Sequence, residues 1–208
     1  EDTFTLMDTL EEDLTRNKLK DMTPCMVLEV GVGSGMVLNF LGKLIKRRLE
    51  REVVLMGTDI NPYALRKCQE NGKLNELTLN LINCNLVSSL RMGIKLDIIV
   101  FNPPYVETED NEVFSSDKVY SSTKDTLFDD IITATWAGGK FGRRVIDQFM
   151  TQVKELLADK GVFYLVTVAE NKPVELIEEA KEIGLVGEIL KIRKAGREKL
   201  YILKFIKK

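Results

Sequence analysis

From Cys25 onward the chain alternates short, β-branched apolar runs with stretches whose apolar residues recur every three to four positions. That alternation predicts an α/β fold in which helices link the strands of a mostly parallel sheet. Strands are expected at Cys25–Val30, Val53–Thr58, Leu77–Ile82, Leu96–Phe101 and Val162–Val168. Val186–Arg193 and Lys199–Phe205 flank Lys194-Ala-Gly196-Arg197 and read as a closing antiparallel hairpin, making seven strands. Helices are expected at about Thr3–Leu19, Met36–Leu49, Pro62–Gly72, Phe141–Ala158 and Pro173–Ile183, on both faces of the sheet. In the first, Asp2 or Thr3 offers an N-cap, and Phe4, Met7, Leu10 and Leu14 form the periodic stripe.

The 208 residues are 44% apolar and 30% charged with a net charge of −2, which excludes global disorder and fits one domain. Thirty basic against 32 acidic residues give no overall positive field, so an unaided nucleic-acid clamp is disfavoured. The absence of histidine excludes a His base, Ser-His and Cys-His pairs, and nearly all zinc sites built by this chain alone; no metal is expected. Cys25, Cys68 and Cys84 are scattered, with no CxxC pair, as expected of small buried side chains in a reducing compartment. No run is long and apolar enough to span a membrane, and the acidic N-terminus is unlike a signal peptide. The cytoplasm is the expected location, with the nucleus also open.

The first strand ends in Glu29-Val-Gly31-Val-Gly33-Ser-Gly35. Met36 stands where a dinucleotide-binding loop has its third glycine, and no phosphate-loop Gly-Lys-Ser/Thr occurs. The spacing instead resembles the acidic-x-G-x-G-x-G loop of class I methyltransferases that use S-adenosylmethionine. Asp59 ends the second strand, where a carboxylate can accept both ribose hydroxyl protons; capping the helix that Pro62 starts is its alternative role. After the third strand, Asn85 can accept from an adenine amino group through its oxygen, though without an aspartate's charge.

Asn102-Pro103-Pro104-Tyr105 follows an apolar strand directly and is a more specific signal. Two prolines stop the strand and remove two backbone donors, leaving a stiff turn at the sheet's C-terminal edge. A planar NH2 group is a poor nucleophile because its lone pair is delocalised. The Asn102 side-chain oxygen and the Pro103 carbonyl can accept its two N–H groups, orient the nitrogen and favour the charge that develops on attack. Tyr105 can lie flat against the planar group.

Together the two motifs resemble the amino-methyltransferases. Glu1-Asp2-Thr3-Phe4 is similar to the end of an N-terminal signature of the HemK-like glutamine methyltransferases. Trp136-Ala-Gly-Gly139, Gly142-Arg143, Phe163–Thr167 and Glu170-Asn171 are similar to their short eukaryotic and archaeal branch. The resemblance implies a Rossmann-like class I methyltransferase fold, S-adenosylmethionine as cofactor, and methylation of the glutamine in the Gly-Gly-Gln motif of the class I translation termination factor. It implies Thr3, Glu29, Gly31, Gly33, Asp59, Ile60, Asn85, Leu86 and Asn102 as cofactor contacts. Asn102, Pro103, Pro104 and Tyr105 are the implied catalytic turn. It further implies a heterodimer with a small zinc-binding activator subunit, for which Leu77–Ile82 is the candidate edge strand.

Residues 106–130 are acidic and polar, a solvated loop or a substrate-side lid that repels phosphate. Lys140, Arg143 and Arg144 form a small basic cluster, and Trp136 is expected in the core. Two other enzymatic readings remain open: transfer to an exocyclic adenine amine, or to another protein side chain such as lysine. A binding-only subunit is disfavoured because both halves of the chemistry are present.

Overall fold

The computed structural model describes residues 2–17, 25–49, 53–91, 93–108, 137–195 and 198–207. Its strands are β1 (Cys25–Val30), β2 (Val53–Asp59), β3 (Leu79–Asn83), β4 (Leu96–Phe101), β5 (Leu157–Val168), β6 (Leu185–Ala195) and β7 (Glu198–Lys207). The helices among the described residues are α1 (Asp2–Asn17), α2 (Met36–Leu49), α3 (Pro62–Leu74), α4 (Arg144–Leu156) and α5 (Pro173–Glu182).

The strands form one sheet in the order β3-β2-β1-β4-β5-β7-β6. Pairing is parallel from β3 to β5, and β7 runs antiparallel to both of its neighbours. The interior strands are buried on both faces, which is why β4 is apolar from Ile98 to Phe101 rather than alternating. Ile98 and Val100 join the core under α1, α2 and α3; Ile99 and Phe101 join the core under α4 and α5. On the second face Phe149 of α4 meets Phe101 and Phe163 edge-on, with ring centroids 5.2 and 5.4 Å apart.

Register aligns the strand ends. Val30 lies beside Thr58 and Phe101, and Asp59 beside Asn83, so Gly31, Ile60, Cys84 and Asn102 leave the sheet along one edge. The order of strands reverses at β1/β4, and such a switch point opens a crevice at the C-terminal ends of the strands.

Several boundaries differ from expectation for local reasons. Leu77 belongs to the turn that closes α3, because its N–H donates to the Gly72 carbonyl at 3.0 Å and Glu76 takes φ +56°; β3 therefore starts at Leu79. The helix expected to run to Ala158 ends at Leu156, and β5, expected from Val162, opens at Leu157 through a bulge: the β4–β5 register jumps from Leu96/Leu157 to Ile98/Val162, with Lys160 at φ +65°. The helix expected from Phe141 begins at Arg144, after a 3₁₀ turn at Lys140–Gly142 in which Phe141 and Gly142 both have positive φ. In α1 the inward stripe is Leu6, Leu10 and Leu14, whereas Phe4 is 59% exposed. Residues 18–24 and 109–136, including most of the acidic segment and Trp136, lie outside the described residues.

Asp13 anchors α1 to the sheet. Its carboxylate accepts from the buried Tyr164 hydroxyl at 2.6 Å and pairs with Lys204 at 2.7 Å. Burial, and then the Asp13 charge, push the Tyr164 hydroxyl well above its ordinary pKa, so it stays a donor. No described helix is long and apolar enough to cross a membrane.

Candidate active site

A cavity of about 260 Å³ opens at the strand edge where β1 and β4 diverge. Its lining includes Gly31, Gly33, Asp59, Ile60, Asn85, Leu86, Asn102 and Pro104, all named from sequence. The structure thus brings the glycine loop, the acidic end of β2 and the diproline turn to one space. It adds Thr58, Phe101, Ala137, Val145 and Gln148, which the motifs did not disclose. These arrive through strand register and through the face of α4, signals that one segment's sequence does not carry.

Thr3, Glu29, Pro103 and Tyr105 do not line the cavity. Glu29 lies behind the glycine loop, 5% exposed, with Oε2 accepting from the Leu38 N–H at 2.8 Å. It thereby satisfies one of the orphan donors in the first turn of α2. Burial, with the nearby Asp59 charge as a smaller cause, raises its pKa to about 8 against the opposing Leu38 hydrogen bond. Gly35 completes the loop against α3: a Cβ there would stand 2.4 Å from the Cys68 sulfur, and the residue has φ +78°.

Asp59 is half-buried. Oδ2 accepts from the Gly33 N–H and Oδ1 from the Asn61 N–H, both at 2.8 Å. The carboxylate therefore ties the glycine loop to the end of β2, and each oxygen retains a lone pair for a further donor. Burial raises its pKa, while the backbone donors oppose the shift. The cap of α3 is Asn61, whose Oδ1 accepts from the Tyr63 N–H at 2.9 Å, so the alternative capping role does not fall to Asp59.

Asn102 leaves β4 at the cavity wall, and its Oδ1 is shielded from solvent with no hydrogen-bond partner. A buried acceptor left unmade costs about 1–3 kcal/mol. In a cavity wall such an atom can accept a donor supplied by a ligand. Next along the chain, the Tyr105 hydroxyl donates to the Asp2 carboxylate, so α1 reaches the diproline turn.

Of the basic cluster, Arg143 is consumed internally: it pairs with Asp147 at 2.8 Å and with Glu179, and these partners hold it protonated. Cys68 and Cys84 are free and buried. No group of metal-ligating side chains occurs among the described residues.

The residues fit an adenosyl group in kind. Asp59 offers an acceptor for a diol, Ile60 and Leu86 offer apolar faces, Asn85 offers an amide, and Gly31 and Gly33 add no side-chain bulk.

Comparison with known proteins agrees with this chemistry. Residues 5–128 match the family model for the methyltransferase small domain. The chain is 40% identical to the human protein named methyltransferase HEMK2, over all of this chain and 87% of that one. It is 36% identical to the fission-yeast (Schizosaccharomyces pombe) eRF1 methyltransferase catalytic subunit mtq2, over 98% of this chain and 86% of the relative. Among solved structures, the E. cuniculi Mtq2–Trm112 complex, described as responsible for methylation of the eRF1 translation termination factor, superposes with a TM-score of 0.64. That match has 28% identity and covers 100% of this chain and 95% of the other. The T. thermophilus 16S rRNA N2 G1207 methyltransferase, solved with AdoMet and guanosine, shares the fold at a TM-score of 0.62 and 20% identity, over all of this chain and 43% of that one.

Proposed function

The chain belongs to the methyltransferase small domain family and to its HemK-like branch, and on that premise we propose that it methylates the side-chain amide of a glutamine. The acceptor is the Gly-Gly-Gln motif of the translation termination factor, and the methyl donor is S-adenosylmethionine. The observation that carries the reading is the partnerless Asn102 Oδ1 in the cavity wall, after an apolar strand and before two prolines.

Bound S-adenosylmethionine supplies an electrophilic methyl group on a sulfonium. Asp59 would hold the ribose hydroxyls, Ile60 and Leu86 would flank the adenine, and Asn85 would accept from its amino group. Asn102 Oδ1 would accept one N–H of the incoming amide, and the Pro103 carbonyl, in the same turn though outside the cavity lining, would accept the other, so the two would orient the nitrogen. Both acceptors strengthen as positive charge grows on nitrogen, which is where stabilisation counts for rate. No general base of the histidine type is needed, because the nitrogen that has gained the methyl group gives up its acidified proton to solvent water only after transfer.

A small zinc-binding partner pairs with the β3 edge. Two features support that choice. The opposite edge, β6, carries Lys191, Arg193 and Lys194, residues that protect an edge from pairing. Leu74, where α3 leads into β3, is 82% exposed.

The test is transfer of labelled methyl to the termination factor by the full chain, with and without the small partner. Label is expected on the factor and absent when its motif glutamine is replaced. Label that persists after that replacement, or that appears on oligonucleotides alone, refutes the reading.

A further inference from the structure

The diproline turn cannot hold itself. Pro103 and Pro104 have no N–H, so the turn's shape must be fixed by groups reaching it from elsewhere. Its carbonyl end is met by Asn171, a residue beyond the end of β5 that is 0% exposed. Asn171 Nδ2 donates to the Tyr105 carbonyl at 3.1 Å and to the Phe141 carbonyl at 2.9 Å. Its Oδ1 accepts from the Val168 N–H at 2.8 Å. One amide thus joins the strand end, the catalytic turn and the Lys140–Gly142 turn, with both of its N–H groups in use.

The 3₁₀ turn closes the brace from the other side. Gly138 donates to the Val106 carbonyl at 2.8 Å, and Thr108 donates to the Gly139 carbonyl at 3.1 Å. A Cβ on Gly142 would stand 2.0 Å from the Tyr105 oxygen and 2.6 Å from Asn171 Nδ2. With φ at +63°, only glycine fits there. Phe141, also at positive φ, is held by the Glu107 carboxylate on its N–H and by Asn171 on its carbonyl.

We propose that Asn171 is a positioning residue: it sets the orientation of the Tyr105 carbonyl and, through the stiff diproline, the placement of Asn102 and the Pro103 carbonyl against the acceptor nitrogen. The proposal rests on the role given to Asn102 above. A shift of a fraction of an ångström at the reacting nitrogen is expected to lower kcat while sparing the cofactor, whose contacts apart from Asn102 lie at and beyond the ends of β1, β2 and β3.

The test compares the full chain, with its small partner, as wild type, Asn171→Ala, Asn171→Ser, Asn171→Asp and the core control Val153→Ala. Val153 is buried in α4 away from the turn. Asn171→Ala is expected to lower kcat about ten- to a hundredfold with cofactor Kd within about twofold. Val153→Ala should lower the melting temperature and leave kcat unchanged. Asn171→Asp replaces a donor with an acceptor facing two carbonyls, so its kcat relative to wild type should rise as pH falls and the buried acid regains its proton. Asn171→Ser keeps one donor and should lie between; it stands in for the alanine variant if that one does not fold. Amide hydrogen exchange supplies a readout that needs no substrate: Gly138 and Thr108 should lose protection in Asn171→Ala, and β1 and β2 should not. An Asn171→Ala variant that loses stability but keeps the wild-type kcat, as expected for Val153→Ala, or unchanged protection at Gly138 and Thr108, overturns the brace. If the wild type leaves the termination factor unlabelled, the functional reading fails instead, and hydrogen exchange still decides the brace.

Discussion

Replacing Asn102 by alanine separates chemistry from binding and from folding. The variant removes the acceptor proposed to hold one N–H of the substrate amide. A hydrogen bond to a group that becomes charged is worth about 1.5–3 kcal/mol. Loss of alignment at the reacting nitrogen adds a comparable amount. Together about 3–6 kcal/mol of transition-state stabilisation disappears, a fall in rate of about two to four orders of magnitude. Cofactor affinity should stay within about tenfold, because Asp59, Ile60, Asn85 and Leu86 remain in the cavity wall. Stability moves the other way. Oδ1 is buried without a partner, so its removal relieves an unmade bond, and the variant should unfold no earlier than wild type. The measurements are single-turnover methyl transfer, calorimetric cofactor Kd and a urea unfolding curve. A transfer rate within tenfold of wild type sinks the reasoning, as does a variant whose losses trace to weaker cofactor binding or early unfolding.

Asp59→Ala should weaken cofactor binding about ten- to a hundredfold, since it removes the proposed diol acceptor and frees the Gly33 and Asn61 N–H groups together; unchanged calorimetric affinity removes the assignment. Glu29→Gln tests the buried acid. In the folded chain Glu29 keeps its proton up to a pH of about 8, against 4.5 as the ordinary value, so across that window the unfolded chain binds fewer protons and stability falls as pH rises. The loss is about 3 kcal/mol by pH 7, on the order of the shift itself. The glutamine variant should lack that slope, and coincident pH profiles of the urea midpoint would refute the buried-acid account. Asp13→Ala leaves Lys204 and the Tyr164 hydroxyl without their shared carboxylate and should cost about 3–5 kcal/mol in the same unfolding assay, with little effect if the pair is only a surface contact.

What could be read from sequence was whatever is encoded within one segment. The apolar run from Ile98 to Phe101 followed by Asn-Pro-Pro states its own end, because a diproline cannot continue a strand and the run is buried on both faces. The glycine loop after β1 and the acid at the end of β2 are legible for the same reason. Residues that depend on what packs against them were not. Thr58, Phe101 and Gln148 reach the cavity through register and through the face of α4, and Phe4 lost its expected core place to Leu6 because a helix stripe can be drawn along more than one line. Asn171 is the sharpest case. A polar residue after a strand reads as surface, and its complete burial depends on the carbonyls of Tyr105 and Phe141, from distant segments, being brought together around it. The difference is physical. A nucleophile-holding group needs a stiff local frame, which sequence writes as proline. The support behind that frame needs only a donor of the right reach, and many segments could have delivered one. The catalytic turn can therefore be recognised from four consecutive residues, whereas the brace behind it becomes visible only when the backbone acceptors it serves have been located in space.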